Sequence, residues 1–156
     1  MRYKVYTDGG YDMLTMIGAS AVVFPDSNTG GYYYRWAKGR KCSFNPEKKQ
    51  RTNEQELGAI IRAVMVAPEG SELDLYSDSQ YAINVLSGRW EAKANLDLIA
   101  IYSKVVFERN IKVYFHWVKG HNGNLYNEIA DDLCNYISAV VKETGKTSIF
   151  ETEKHF

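Results

Sequence analysis

The hydrophobic period of this chain changes partway along it, and that change limits the fold more than any other feature. Up to about residue 38 the apolar residues come in alternating or continuous runs broken by turn residues, whereas beyond residue 53 they recur at helical spacing. A stretch patterned at period two buries its apolar side chains as a strand, and one patterned at 3.6 does so as a helix. The chain is therefore predicted to start in β structure and to continue in mixed α and β.

Residues 2–8 alternate, with Tyr3, Val5 and Thr7 toward one face and Lys4, Tyr6 and Asp8 toward the other. Gly9-Gly10 are expected to stop this first strand. Residues 17–24 (IGASAVVF) form a second apolar run, closed by Pro25-Asp26-Ser27-Asn28, and 31–38 (GYYYRWAK) form a third. The short turn between them predicts a hairpin. In 53–66, Leu57, Ile60, Ile61, Val64 and Met65 make the stripe of an amphipathic helix, ended by Pro68 and Gly70. A strand follows over 72–77, a short helix over 79–87 closed by Gly88, and a helix over 95–109 carrying Leu98, Ile101, Tyr102 and Val105. A fifth strand is predicted over 111–118 and a last helix over 124–142, with Ile129, Leu133, Tyr136, Ile137 and Val140 on its stripe. The order β-β-β-α-β-α-α-β-α predicts an α/β fold. Its five-stranded mixed sheet has three antiparallel N-terminal strands, two further parallel strands and helices on both faces. One domain is expected over 1–142, with 143–156 as a polar tail that frays.

A chain of 156 residues can bury a core without disulfides. Cys42 and Cys134 lack metal-site spacing and read as reduced thiols of a cytoplasmic protein. No apolar run approaches the roughly 18 residues that span a bilayer, and MRYKVYTDGG reads as a strand, not a secretory signal. The formal net charge is +0, so any grip on a polyanion must be local. The densest basic stretch is Arg40, Lys41, Lys48, Lys49 and Arg51, set against one acid, Glu47.

Four acids stand at suggestive places. Asp8 ends the first strand and Asp78 lies just past the fourth. If those strands are parallel neighbours, both carboxylates project at the carboxyl edge of the sheet, where open α/β folds bind ligands. Glu56 lies in the first turn of the first predicted helix and Asp131 in the first turns of the last. Each has an ordinary explanation alone, as a turn former or as an acid complementing a helix dipole. The helical wheel even sets Asp131 opposite the apolar stripe, toward solvent. Converging acids would raise one another's pKa unless a divalent cation neutralised them, and oxygen-only ligands favour Mg²⁺ or Mn²⁺.

The local contexts go further. TDGG (7–10), TNEQEL (52–57), YSDSQYA (76–82), WVKGHNG (117–123) and NEIADDL (127–133) occur in this order. Together they resemble the successive signatures of the type-1 ribonuclease H (ribonuclease HI) family, and the resemblance covers about residues 2–140. It implies an endonuclease that hydrolyses the RNA strand of RNA–DNA hybrids with two Mg²⁺ ions, leaving 5′-phosphate and 3′-hydroxyl ends. By match to those motifs Asp8, Glu56, Asp78 and Asp131 are the implied metal ligands. Asp8 would bridge both ions, Asp131 would hold the ion that activates water, and Glu56 and Asp78 the ion at the leaving oxygen. His121 matches a loop histidine that assists proton transfer or product departure. Asn53 and Gln80 match positions that hydrogen-bond the hybrid in its minor groove, where 2′-hydroxyls mark RNA. The expected partner is the RNA–DNA hybrid, with no membrane and the chain as a monomer.

Some features depart from the family pattern. YDMLTMIG (11–18) replaces a Gly/Pro-rich turn, and Thr52 stands where a second Asn is common. GRWEAKAN (88–95) leaves no room for the basic protrusion that some members carry. Two rival readings remain: a transposase, resolvase or exonuclease on the same superfamily fold, and a non-catalytic module that binds hybrids. The first carries different acid spacing and lacks the KGH loop; the second is disfavoured by the presence of all four carboxylates.

Overall fold

The computed structural model describes residues 1–120 and 123–156. Its elements are β1 (Arg2–Asp12), β2 (Ile17–Asp26), β3 (Gly31–Lys41), α1 (Lys48–Val66), β4 (Glu72–Ser77), α2 (Gln80–Leu86), α3 (Leu96–Arg109), β5 (Lys112–Trp117), α4 (Leu125–Thr144) and β6 (Ser148–Glu151). They build one mixed sheet in the order β5-β4-β1-β2-β3-β6. β1, β2 and β3 pair antiparallel, β1 pairs parallel with β4, and β4 pairs parallel with β5. The α/β class and the mixed sheet are as the sequence predicts, with six strands in place of five.

Burial explains the patterns. On one face Val5, Val22, Phe24, Leu73 and Leu75 pack with Leu57, Ile60 and Val64 of α1 and Tyr102 of α3. On the other, Tyr6, Ala19, Ala21, Val23 and Ala37 pack with Ala130, Cys134 and Ile137 of α4. β2 is buried on both faces from Ile17 through Pro25, so its run is continuous, whereas β1 alternates over Arg2–Val5 before it too is buried through Gly9. A bulge between Phe24 and Pro25 lets the strand pass the proline and run on to Asp26. α2 and α3 are joined by residues 87–95 with no helix between them, so the basic protrusion is absent.

Four expectations need correction. Gly9-Gly10 do not stop β1, which continues to Asp12 paired with β2. A Cβ on Gly9 would lie 2.5 Å from the Gln55 carbonyl carbon, so this glycine lets α1 press its backbone against the strand. α1 starts at Lys48, five residues earlier than its apolar stripe suggested, because its first turn is polar and exposed. The buried stripe of α4 is Asn127, Ala130, Cys134, Ile137 and Val141, rotated from the predicted one so that Tyr136 stays 55% exposed. The C-terminal residues do not fray. β6 pairs antiparallel with β3, and Thr152 and His155 donate onward to the Arg35 and Tyr33 carbonyls at 3.0 and 2.8 Å. Glu151 accepts from Tyr34 and, at 2.7 Å, from Arg62. The pairing is carried by the backbone, which leaves no apolar pattern to read.

Phe156 closes this segment. Its ring stacks on Tyr33 and meets Tyr3 and Phe24 edge-on, with centroids 5.0–5.6 Å apart. Buried Phe→Ala changes cost about 3–5 kcal/mol, and at 36% exposure Phe156→Ala should lower unfolding free energy by about 2 kcal/mol. Chemical denaturation at fixed slope checks this; an unchanged midpoint would mean that the terminus carries no load.

Candidate active site

The site lies where β1, β4, α1 and α4 meet. The parallel register sets Tyr6 beside Tyr76, and their rings stack at 4.7 Å and 12°. Asp8 comes two residues later on β1, and Asp78 two residues later on the bend just past the end of β4. The close approach at Gly9 brings Glu56 of α1 to the same point from the other face. One oxygen of each of Asp8, Glu56 and Asp78 lies within 4.8 Å of the others. Asp8 is 7% and Glu56 4% exposed, and Asp78 is half-buried.

Asp131 joins from α4. It is half-buried rather than solvent-facing, and its carboxylate is within hydrogen-bonding reach of Asp8. The rotation of the α4 stripe explains this: Asp131, Cys134, Asn135 and Ser138 form one edge of the helix and line the same cleft of about 480 Å³ as the other three acids. Asp132 points to solvent.

Burial first, then the charges of Asp78 and Asp131, push the Asp8 carboxyl up to about 8. Burial, with Asp8 and Asp78 behind it, holds Glu56 well above the usual carboxylate range. Glu56 Oε2 is buried and has no hydrogen-bond partner among the described residues. Such an acceptor is costly to bury unmet. Lone pairs that hold protons this tightly, gathered from oxygen donors alone, fit a hard divalent cation. Asp8, Glu56 and Asp78 could therefore hold a metal ion, with Asp131 at its border.

Other residues fall less centrally. Asn53 is half-buried within α1, one turn before Glu56, and Gln80 is exposed at the start of α2, two residues after Asp78. Neither lines the cleft; Thr52 does. His121 lies outside the described residues. Of the basic stretch, Lys48 lines the cleft, whereas Arg51 is tied to Glu54 at 2.9 Å and to the Ser43 hydroxyl at 2.7 Å. Cys134, with no role assigned from sequence, places its thiol 3.6 Å from the Asp8 carbonyl oxygen. No disulfide forms, and both cysteines are free.

Comparison with known proteins places the chain in a family. The family model for RNase H matches residues 1–138. A protein named Ribonuclease H from Campylobacter jejuni is 33% identical over 138 residues, covering 83% of this chain and 86% of its own length. A protein named Ribonuclease HI from another strain of that species matches to the same extent. One named Ribonuclease H from Hahella chejuensis is 29% identical over 157 residues, covering 91% of this chain and 97% of the relative. On the extent of the family match and the identity of these relatives, the chain belongs to the RNase H family.

Proposed function

We propose that this protein hydrolyses the RNA strand of RNA–DNA hybrids at a site of two Mg²⁺ ions held by Asp8, Glu56, Asp78 and Asp131, leaving 5′-phosphate and 3′-hydroxyl ends. Mn²⁺ would serve in place of Mg²⁺. The observation that carries the reading is a cluster of Asp8, Glu56 and Asp78 around an unmet, buried carboxylate oxygen, with Asp131 lining the same cleft. Bound there, the cations would supply Lewis acidity, making water nucleophilic near neutral pH and neutralising charge that builds on the phosphate. All four ligands come from one chain, which supports a monomer as the acting unit. No helix among the described residues is long and apolar enough to cross a membrane, and we take the enzyme to be cytoplasmic.

The protein's own groups do the rest. Asp8 and Glu56 are buried at the floor of the cleft, which holds their carboxylates in place before substrate arrives. Asn53 and Gln80, each close in the chain to a ligand, hydrogen-bond the hybrid across its minor groove and read the 2′-hydroxyl. His121 assists proton transfer or product departure. Lys48 and Lys49 stand in the first turn of α1, where cations oppose the helix dipole and acids are absent. A local rule broken at a cleft is expected where the charge serves binding, here of phosphates.

Three outcomes follow. Labelled hybrid should be cut in Mg²⁺, duplex DNA left intact, and Asp8→Asn or Asp78→Asn should abolish cleavage while the fold persists; near-parental turnover by either variant refutes the ligand set. Changing Lys48 and Lys49 to Ser should flatten the plot of log hybrid affinity against log salt by about one unit for each phosphate that is no longer neutralised. An unchanged slope places the grip elsewhere. The third concerns pH. Asp8 titrates near 3.8 unfolded and about 8 folded, so between these values the folded state keeps a proton that the unfolded chain has released. Metal-free stability should therefore fall as pH rises from about 4 to 8. Mg²⁺ and Asp8→Asn should each reduce that fall. Asp74 acts in a different window: its Arg2 partner holds it at about 2, so its contribution is lost only below about pH 4. Melting temperatures at pH 5 and pH 8.5, with chelator and with Mg²⁺, decide; a metal-free stability that rises across this range contradicts the buried-acid account.

A further inference from the structure

Asp78 is the one cluster acid carried on a bend instead of inside a strand or helix. β4 ends at Ser77 and α2 begins at Gln80, so two residues make the whole connection. Ser79 serves as the cap of α2, its hydroxyl accepting from the Ala82 N–H at 3.1 Å. The Ser77 hydroxyl accepts from the Ser79 N–H at 3.0 Å. The Asp78 peptide carbonyl follows the last ladder residue and precedes the helix. It is met from β5, where the Trp117 indole N–H donates to it at 3.2 Å.

This contact is unusual for its setting. Trp117 is 50% exposed, so its ring contributes only part of what a core tryptophan would. The ladder holds Trp117 opposite Ser77, and the next residue, Val118, donates its N–H to the Ser77 carbonyl at 3.0 Å. Two rungs of β5 thus bracket the residue before Asp78, and the indole reaches across to Asp78 itself. The chain then turns back against the side chain: a Cβ on Gly120 would lie 3.0 Å from Asp78 Oδ2. The chain from the end of β5 to Gly120 therefore meets Asp78 at its carbonyl and passes close to its carboxylate.

We infer that Trp117 is a positioning residue, whose indole N–H fixes the Asp78 peptide so that the carboxylate points at Asp8 and Glu56. This rests on the reading of those acids as metal ligands. The direction of a carboxylate on a two-residue bend follows its own peptide plane, which the Ser77 hydroxyl holds at the Ser79 N–H and the Trp117 indole holds at the Asp78 carbonyl. Groups that orient metal ligands typically contribute 10- to 100-fold in metal affinity, while a half-exposed neutral hydrogen bond adds little to folding. The two effects can therefore be separated.

The test replaces Trp117 site-specifically with β-(3-benzothienyl)alanine, which keeps the shape of indole and has sulfur where the N–H was; Trp117→Phe is the companion variant. Mn²⁺ binding to the metal-free protein is measured by calorimetry, beside the Mg²⁺ dependence of hybrid cleavage, the KM for hybrid and the melting temperature. The Mn²⁺ dissociation constant and the half-activating Mg²⁺ concentration should both rise about tenfold or more, with KM for hybrid unchanged and melting moved by no more than a few degrees. A purely structural tryptophan would instead lower the melting temperature of the Phe variant and leave metal affinity alone in the shape-preserving analogue. Unchanged Mn²⁺ affinity in that analogue overturns the inference. Should the parent bind Mn²⁺ and yet cut no hybrid, the proposed reaction fails while the calorimetry still decides on Trp117.

Discussion

Like charges gathered out of water are the constraint on which this structure turns. Asp8 and Glu56 are almost wholly buried, with Asp78 and Asp131 beside them. Left to themselves they would separate or take up protons, as the elevated Asp8 and Glu56 show. The rest of the fold holds them together. A six-stranded sheet fixes β1 against β4, a stacked tyrosine pair locks the row beneath the acids, and a glycine lets α1 close to backbone contact. Part of the fold's stability thus goes to holding a repulsive site in one geometry, an arrangement that makes sense when a cation completes it.

The two faces of the sheet divide the labour. The α1 side holds the larger core and delivers Glu56; the α4 side holds the smaller core and delivers Asp131. Because helices from opposite faces, β1 and the bend after β4 each supply one acid, no single element can move without disturbing the cluster. Contacts behind the acids add to this. The Cys134 thiol meets the Asp8 carbonyl and the Trp117 indole meets that of Asp78, so the peptides of two cluster acids are held at their main chain as well.

Much of this was legible in the chain, and the exceptions have physical causes. Apolar period fixed element type from β1 to α4, since burial on one face or both writes directly into side-chain choice. The parallel strands placed Asp8 and Asp78 together once the β-α-β order was known. Glu56 and Asp131 were not reachable that way. Their positions depend on helix rotation, and a stripe misread by about one residue turned Asp131 from cleft to solvent. Local motifs carried it where periodicity could not. Gly9-Gly10 misled because a glycine reads the same whether it ends a strand or admits a helix. β6 escaped because backbone pairing at an edge, anchored by Phe156 and Glu151, leaves little trace in residue pattern.

The central claim is that the four acids form a divalent cation site. Anomalous diffraction from crystals soaked in Mn²⁺ tests it without reference to turnover. The account predicts anomalous peaks within direct coordination distance of the Asp8, Glu56 and Asp78 carboxylates, with Asp131 reaching a second. Well-ordered Mn²⁺ elsewhere on the protein, with none between Asp8, Glu56 and Asp78, would contradict it.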